Sequence, residues 1–244
     1  MKKLYGLLQL LCALMFLTTL TQAQPAQTDT AFVSASSANA KKVYLSAVHS
    51  QSHLYNGGQY IDYNSLADEH PYYLSEDWMT GTIIYDGQRY EDVSILYDIW
   101  ADKVIVEHFT GAFIELVTAK ISSFEIRGHS FRKFTKADDS KGAITEGFYD
   151  VLYDGKTKVV ARHEKLFEET IQSQQLVREF NEKNKYYIIR NGAFFPANSK
   201  RAVLQILSDK KKELRKYIRD YALDFRKRET SIVSVAKFYD QQNP

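Results

Sequence analysis

Six histidines and a scatter of carboxylates are the residues of this chain that could carry chemistry. His49 and His53 stand four apart, a spacing that would place two imidazoles on one helix face for a metal. Their surroundings read instead as strand and turn, where four residues separate the rings by about 13 Å. No HExxH or HxH pattern accompanies them, so they are expected to be surface or hydrogen-bonded histidines. His108, His129 and His163 lie on separate strand-like segments and would converge only if the fold makes those segments neighbours. Asp86, Asp98, Asp102, Asp150 and Asp154 sit in or beside turns, where aspartate is favoured for its hydrogen bonds to local backbone. A glycosidase needs two acids across a cleft at roughly 5–9 Å, and position along the chain does not supply that. Nucleophile-elbow, phosphate-loop, dinucleotide and calcium-loop patterns are absent. The sequence therefore assigns no catalytic residue, no metal ligand and no cofactor.

The N-terminus speaks to location. Lys2 and Lys3, the apolar run Leu4 to Leu20 and the boundary Thr21-Gln22-Ala23 predict a secretory signal peptide over 1–23, with a mature chain from Gln24. The run is short for a membrane anchor and is interrupted by Gln9. Cys12, the single cysteine, follows a bulky leucine rather than the small residue of a lipoprotein site, and leaves with the leader. The mature chain then has no thiol, which excludes disulfides, thiolate catalysis and thiolate metal ligation. Its stability must come from a core, and about 220 residues suffice to bury one.

The elements that must position any site follow from periodicity. Residues 24–41 are small and polar and predict a flexible lead-in. From 42 to 196 short β-type runs alternate with turn signals. Val43 and Leu45 begin the series, Asn56-Gly57-Gly58 is a turn, and Tyr60 to Tyr63 is read as a returning strand. Trp78 to Tyr85, Asp86-Gly87 and Arg89 to Trp100 predict a hairpin with a positive-φ turn. Period two continues through Lys103 to Phe134, with breaks near Ala101-Asp102, Thr110-Gly111, Ala119-Lys120 and Gly128. Lys136 to Ala143 is a charged loop. Gly147 to His163 predicts a second hairpin of the same design around Asp154-Gly155, and Tyr186 to Pro196 a third around Asn191-Gly192. The tripeptide Tyr-Asp-Gly thus recurs at 85–87 and 153–155, a coincidence of turn chemistry rather than an expected repeat.

Past residue 197 the period changes to that of helices. Ser199 is a candidate N-cap. Leu214, Tyr217, Ile218 and Tyr221 fall on one helix face, and Ile232, Val235, Ala236 and Tyr239 repeat the spacing. The fold class expected is α+β: an antiparallel β-meander, as a curved sheet or partly open barrel, closed by two or three C-terminal helices packed on it over 197–244.

Charge is unevenly spread. Residues 24–110 carry a net of −8 and residues 197–228 a net of +7. The fold is expected to absorb this by facing the two ends together; the alternative is a charged partner for one of them. The candidate docking face is Lys211, Lys212, Arg215 and Arg219, whose interleaving with Tyr217, Tyr221 and Phe225 suits anionic headgroups. An exported protein is not expected to meet nucleic acid.

The runs 81–87, Tyr97-Asp98, 147–155, Lys185-Tyr186-Tyr187-Ile188 and the Lys210-rich helix resemble secreted β-rich proteins of Bacteroidota that carry no assigned activity. The resemblance implies export and the β-then-helix layout and transfers no site. The function expected is an exported, non-enzymatic binding or accessory module of the cell envelope, in the periplasm or outside the cell, with an envelope protein or polymer as partner and peripheral contact with the membrane. The alternatives are an enzyme acting on an envelope or extracellular polymer and a β-container for an apolar ligand.

Overall fold

The computed structural model describes residues 32–37, 39–40, 53–62, 69–172 and 175–242. The segment expected to be a signal peptide, the strand expected at Val43 and Leu45, and His49 lie outside them. The chain divides into two units, Met1–His49 and Ser50–Pro244. In the first, residues 32–37 and 39–40 are helical and exposed where a flexible lead-in is expected. Ala35 and Ala40 within these residues favour helix over coil.

The second unit is built on strands β1 (Gly58–Gln59), β2 (Met79–Tyr85), β3 (Gln88–Asp98), β4 (Lys103–Glu107), β5 (Phe113–Glu115), β6 (Ile121–Ile126) and β7 (His129–Phe134). They are followed by β8 (Gly147–Tyr153), β9 (Lys158–Arg162), β10 (Lys165–Gln172), β11 (Gln175–Glu182), β12 (Lys185–Arg190) and β13 (Ala193–Pro196). Eleven of them form one open antiparallel sheet in the order β1-β5-β4-β3-β2-β6-β7-β8-β9-β12-β13, and β10 with β11 forms a separate two-stranded ribbon.

Side-chain period two decides which residues face the core. On one face Tyr97 of β3 meets Phe131 of β7 with ring centroids 5.1 Å apart, although β2 and β6 lie between those strands. A flat sheet would hold the two strands about 14 Å apart, so the sheet curls around this contact. Phe124 stacks on Phe131 at 4.7 Å, and Phe148 and Tyr73 close the cluster edge-on. A smaller cluster on the opposite face joins Tyr149, Val160, Tyr187 and Phe194 to Ile144 from the loop before β8.

Three helices close the chain: α1 (Lys200–Ile206), α2 (Lys211–Asp220) and α3 (Arg228–Gln241). Ser199 caps α1, its hydroxyl accepting the Ala202 N–H. Leu214 and Ile218 of α2 are buried, as are Ile232, Val235, Ala236 and Tyr239 of α3, against Val159, Ala161 and Ile188 of the sheet. Asp240 of α3 ties helix to sheet, accepting the Tyr153 hydroxyl at 3.1 Å and the Thr157 N–H at 3.0 Å. Tyr239 donates its hydroxyl to Asp209 at 2.7 Å, and Asp209 also pairs with Arg190.

Three hairpin turns follow the positive-φ design: Asp86 and Gly87 have φ of 52° and 74°, Arg127 and Gly128 48° and 80°, Asn191 and Gly192 53° and 70°. The β8–β9 turn does not. Gly155 is outside the left-handed region, residues 154–157 span the connection, and a bulge shifts the register between Val151 and Tyr153. A Cβ at Gly155 would overlap the Tyr153 ring and the Asp240 carboxylate. The shared Tyr-Asp-Gly tripeptide therefore makes two different turns, because only the second is gripped by a helix. The strand expected over Tyr60 to Tyr63 is corrected too as far as Asp62, Tyr63 lying outside the described residues: the strand lies at Gly58–Gln59, and Tyr60 ends it with an N–H donated to Phe113 O at 2.9 Å. The β10–β11 ribbon has no counterpart in the sequence reading.

Two substitutions test these assignments. Gly87→Val should cost roughly 1 kcal/mol or more through its left-handed φ, and Leu214→Ala about 2–5 kcal/mol through the cavity it leaves. Urea midpoints would measure both, and unchanged midpoints would refute the turn and the packing respectively.

Candidate functional site

His129, Asp150 and His163 are the histidine–carboxylate group that the fold assembles. Asp150 pairs with Phe131 across β7–β8 and with Ala161 across β8–β9. His129 lies two residues from Phe131 and His163 two from Ala161, so all three side chains share one face. His129 Nδ1 is 2.6 Å from Asp150 Oδ2, and His163 Nε2 is 3.4 Å from the same oxygen. Asp150 and His163 are buried, and the His129 side chain is 30% exposed. Tyr73 packs on both rings, at 5.6 Å from His129 and 4.9 Å from His163. Two of the three histidines named from sequence thus converge. His108 does not: it contacts Thr110 and packs edge-on against Tyr55.

The proton positions follow from the partners. Asn184 donates its Nδ2 to Glu182 at 2.8 Å, which turns its Oδ1 toward His163 Nδ1 at 2.9 Å. Both ring nitrogens of His163 therefore face acceptors, a demand that only the imidazolium meets. Burial works against this charge, but the hydrogen bonds to Asp150 and Asn184 and the charges of Asp150 and Glu229 outweigh it and raise the His163 pKa above 6.5. His129 must also donate from Nδ1, and in its neutral form that leaves Nε2 as a lone pair of the kind a general base presents. Among the described residues no hydroxyl or thiol is hydrogen-bonded to that nitrogen, and no group of three His, Cys, Asp or Glu could hold a metal. The arrangement is a buried electrostatic staple joining β7, β8 and the end of β9.

The remaining acids serve structure. Asp102 accepts the Tyr97 hydroxyl at 2.6 Å and Arg162 at 3.1 Å, and Arg162 also binds Glu164, which Lys185 meets at 2.6 Å. Burial lowers the Arg162 pKa less than the Asp102 charge and the Glu164 hydrogen bond raise it. Gly147 is required beside this group, since a Cβ there would overlap the guanidinium. Asp98 is fully buried and accepts the Tyr60 hydroxyl and the N–H groups of Trp100 and Ala101. Asp86 turns the first hairpin, and Asp154 pairs with Lys158 at 2.6 Å. Asp139, in the charged loop, accepts backbone N–H groups from Lys141, Ala143, Ile144 and Phe194 and so pins that loop to β13.

The candidate docking face is arranged as the helix period predicts. Lys211, Lys212, Arg215 and Arg219 are exposed, as is Lys216, with Leu214 and Ile218 buried behind them. Tyr221, beyond the C-terminus of α2, is 68% exposed and lies 4.6 Å from the Tyr217 ring. Among the described residues the cations of the basic segment that form ion pairs are Arg219 with Asp220 and Arg226 with Asp224, both local. Among the described residues no ion pair joins 197–228 to the acidic stretch before residue 110; Asp86 and Asp102 are answered by Lys120 and Arg162 instead. Among the described residues, direct ion pairing between the two charged ends, which the sequence led one to expect, is not found.

No protein-family model, curated protein or solved structure matches the chain. Sequence reasoning missed Arg162, Asn184 and Tyr73. A signal existed for the first: Arg162-His163-Glu164 follows the buried run Val159-Val160-Ala161 directly, and charge at the end of a buried strand needs partners.

Removing Asp150 strands a buried cation, so Asp150→Ala should cost about 3–5 kcal/mol. Because the folded pKa of His163 is raised, its stabilisation is complete below pH 6.5 and is lost as pH rises through the folded value. Thermal melts from mildly acidic to alkaline pH should show this loss in the parent chain and not in His163→Gln. Parallel pH profiles would refute the imidazolium.

Proposed function

We propose that the protein is an exported, non-enzymatic binding or accessory module of the cell envelope that docks on an anionic surface through the cationic face of α2. The observation that carries this reading is the exposed set Lys211, Lys212, Arg215 and Arg219, in which the first three meet no carboxylate among the described residues. A solvated helix face usually mixes both signs, and here Glu213 and Asp220 are outnumbered. Each cation near an anionic lipid surface contributes about 1 kcal/mol, so this face supports reversible peripheral contact rather than firm anchoring. The exposed Tyr221 ring adds an amphipathic group suited to the headgroup layer.

The leader-type sequence of residues 1–23 supports export. The aromatic filling of the curled sheet favours an accessory module over a container. No helix among the described residues is long and apolar enough to cross a membrane.

Co-sedimentation of the full chain with vesicles decides the matter. Binding should be seen with equal parts phosphatidylcholine and phosphatidylglycerol, fall with salt, and be lost with phosphatidylcholine alone. Lys211→Gln with Lys212→Gln should weaken it by about 30-fold at unchanged stability. Binding indifferent to lipid charge or to these substitutions would overturn the proposal.

A further inference from the structure

We infer that His163 is a protonation-controlled clamp on the base of the β10–β11 ribbon. The ribbon leaves the body at Lys165 and returns at Glu182, so His163 and Asn184 flank its two feet. Their side chains meet across the gap at 2.9 Å, beside the backbone bond from Lys183 N–H to Glu164 O at 2.7 Å. With Asn184 turned by Glu182, its oxygen accepts only from a protonated Nδ1. Asp150 makes the competing demand on Nε2. A neutral ring carries one proton and cannot serve both. The buried carboxylate holds the proton more strongly than an amide oxygen does, so deprotonation releases Asn184 and with it one foot of the ribbon.

The groups around His163 set the direction of control. Asp150 faces it from β8, His129 and Phe131 from β7, Tyr73 from the segment before β2, Asn184 from the β11–β12 turn, and Glu229 acts from α3. Asp150 and Glu229 favour the cation. His129 shares the Asp150 oxygen through its Nδ1.

The ribbon has other holds, so release of this one loosens it without detaching it. Trp100 packs on Phe167 and Phe180, Lys165 N–H donates to Ile99 O at 3.3 Å, and Lys165 Nζ donates to His70 O at 2.6 Å. A cleft of about 490 Å³ lined by His70, Lys165, Phe180 and Glu182 runs along this foot and would change shape with it. The far end is lightly held: Ile171 and Leu176 pair across the ribbon and are 79% and 54% exposed.

Hydrogen–deuterium exchange of the full chain from about pH 5.5 to about pH 8.5, a range that brackets histidine titration, tests the clamp. The opening of 165–182, taken relative to β8 and β9 to cancel intrinsic exchange, should be flat at the acid end. Above pH 6.5 it should rise by up to about tenfold per pH unit until His163 titrates, then level off. Asn184→Ala should open the ribbon at every pH and abolish the dependence. A flat ratio in the parent chain overturns the inference, as does a pH dependence that survives in Asn184→Ala. The parent series decides alone if the variant does not fold.

Discussion

The ring of Tyr97 can touch that of Phe131 only if a sheet that is otherwise open bends back on itself, and most of the architecture follows from that contact. β2 and β6 lie between the two strands, so their own inward residues Ile83, Phe124 and Ile126 are buried by the same curl. Aromatic residues suit this role because each ring covers a large area with few rotatable bonds. A chain whose single cysteine is Cys12 has no disulfide with which to hold such a bend, and packing must hold it instead. The Tyr97 hydroxyl then extends the contact into polar territory, through Asp102 to Arg162, Glu164 and Lys185.

Much of this scaffold was legible. Alternation located β2, β3, β6 and β7, Asn191-Gly192 and Asp86-Gly87 located tight turns, and the spacing of Ile232, Val235, Ala236 and Tyr239 identified the buried face of α3. These succeeded because each rests on local geometry. The β8–β9 turn misled because its dipeptide is identical to the first while its conformation is dictated by Asp240, 83 residues beyond Thr157. The ribbon escaped notice for a related reason: Glu168, Glu169, Arg178 and Glu179 mask its alternation, and its apolar residues Phe167 and Phe180 gain meaning from Trp100, which belongs to another part of the chain.

The site was legible by type and not by arrangement. Period two could place His129 and His163 on inward faces, but their meeting at Asp150 depends on the registers Phe131 with Asp150 and Asp150 with Ala161, which no local pattern specifies. Helical spacing needs no register, and so Lys211, Lys212, Arg215 and Arg219 stand where the sequence puts them. What the sequence could not show is that Asp86 and Asp102 of the acidic stretch find their cations at Lys120 and Arg162, with the cations of α2 left exposed.

The grip of Asp240 on the β8–β9 turn has a consequence for how the chain is made. The Thr157 N–H and Tyr153 hydroxyl lack their acceptor until residue 240 has been synthesised, and Gly155 has nothing to pack against. Strands β2 to β5 pair with their neighbours in sequence, as do β6 and β7, and β2 meets β6 across the chain between them, all without residue 240, whereas the turn between β8 and β9 gains its side-chain acceptor only from α3. The strand that enters this turn carries both Phe148 of the aromatic curl and Asp150 of the polar centre, and the strand that leaves it runs into His163, so both groups are joined to the turn that residue 240 fastens.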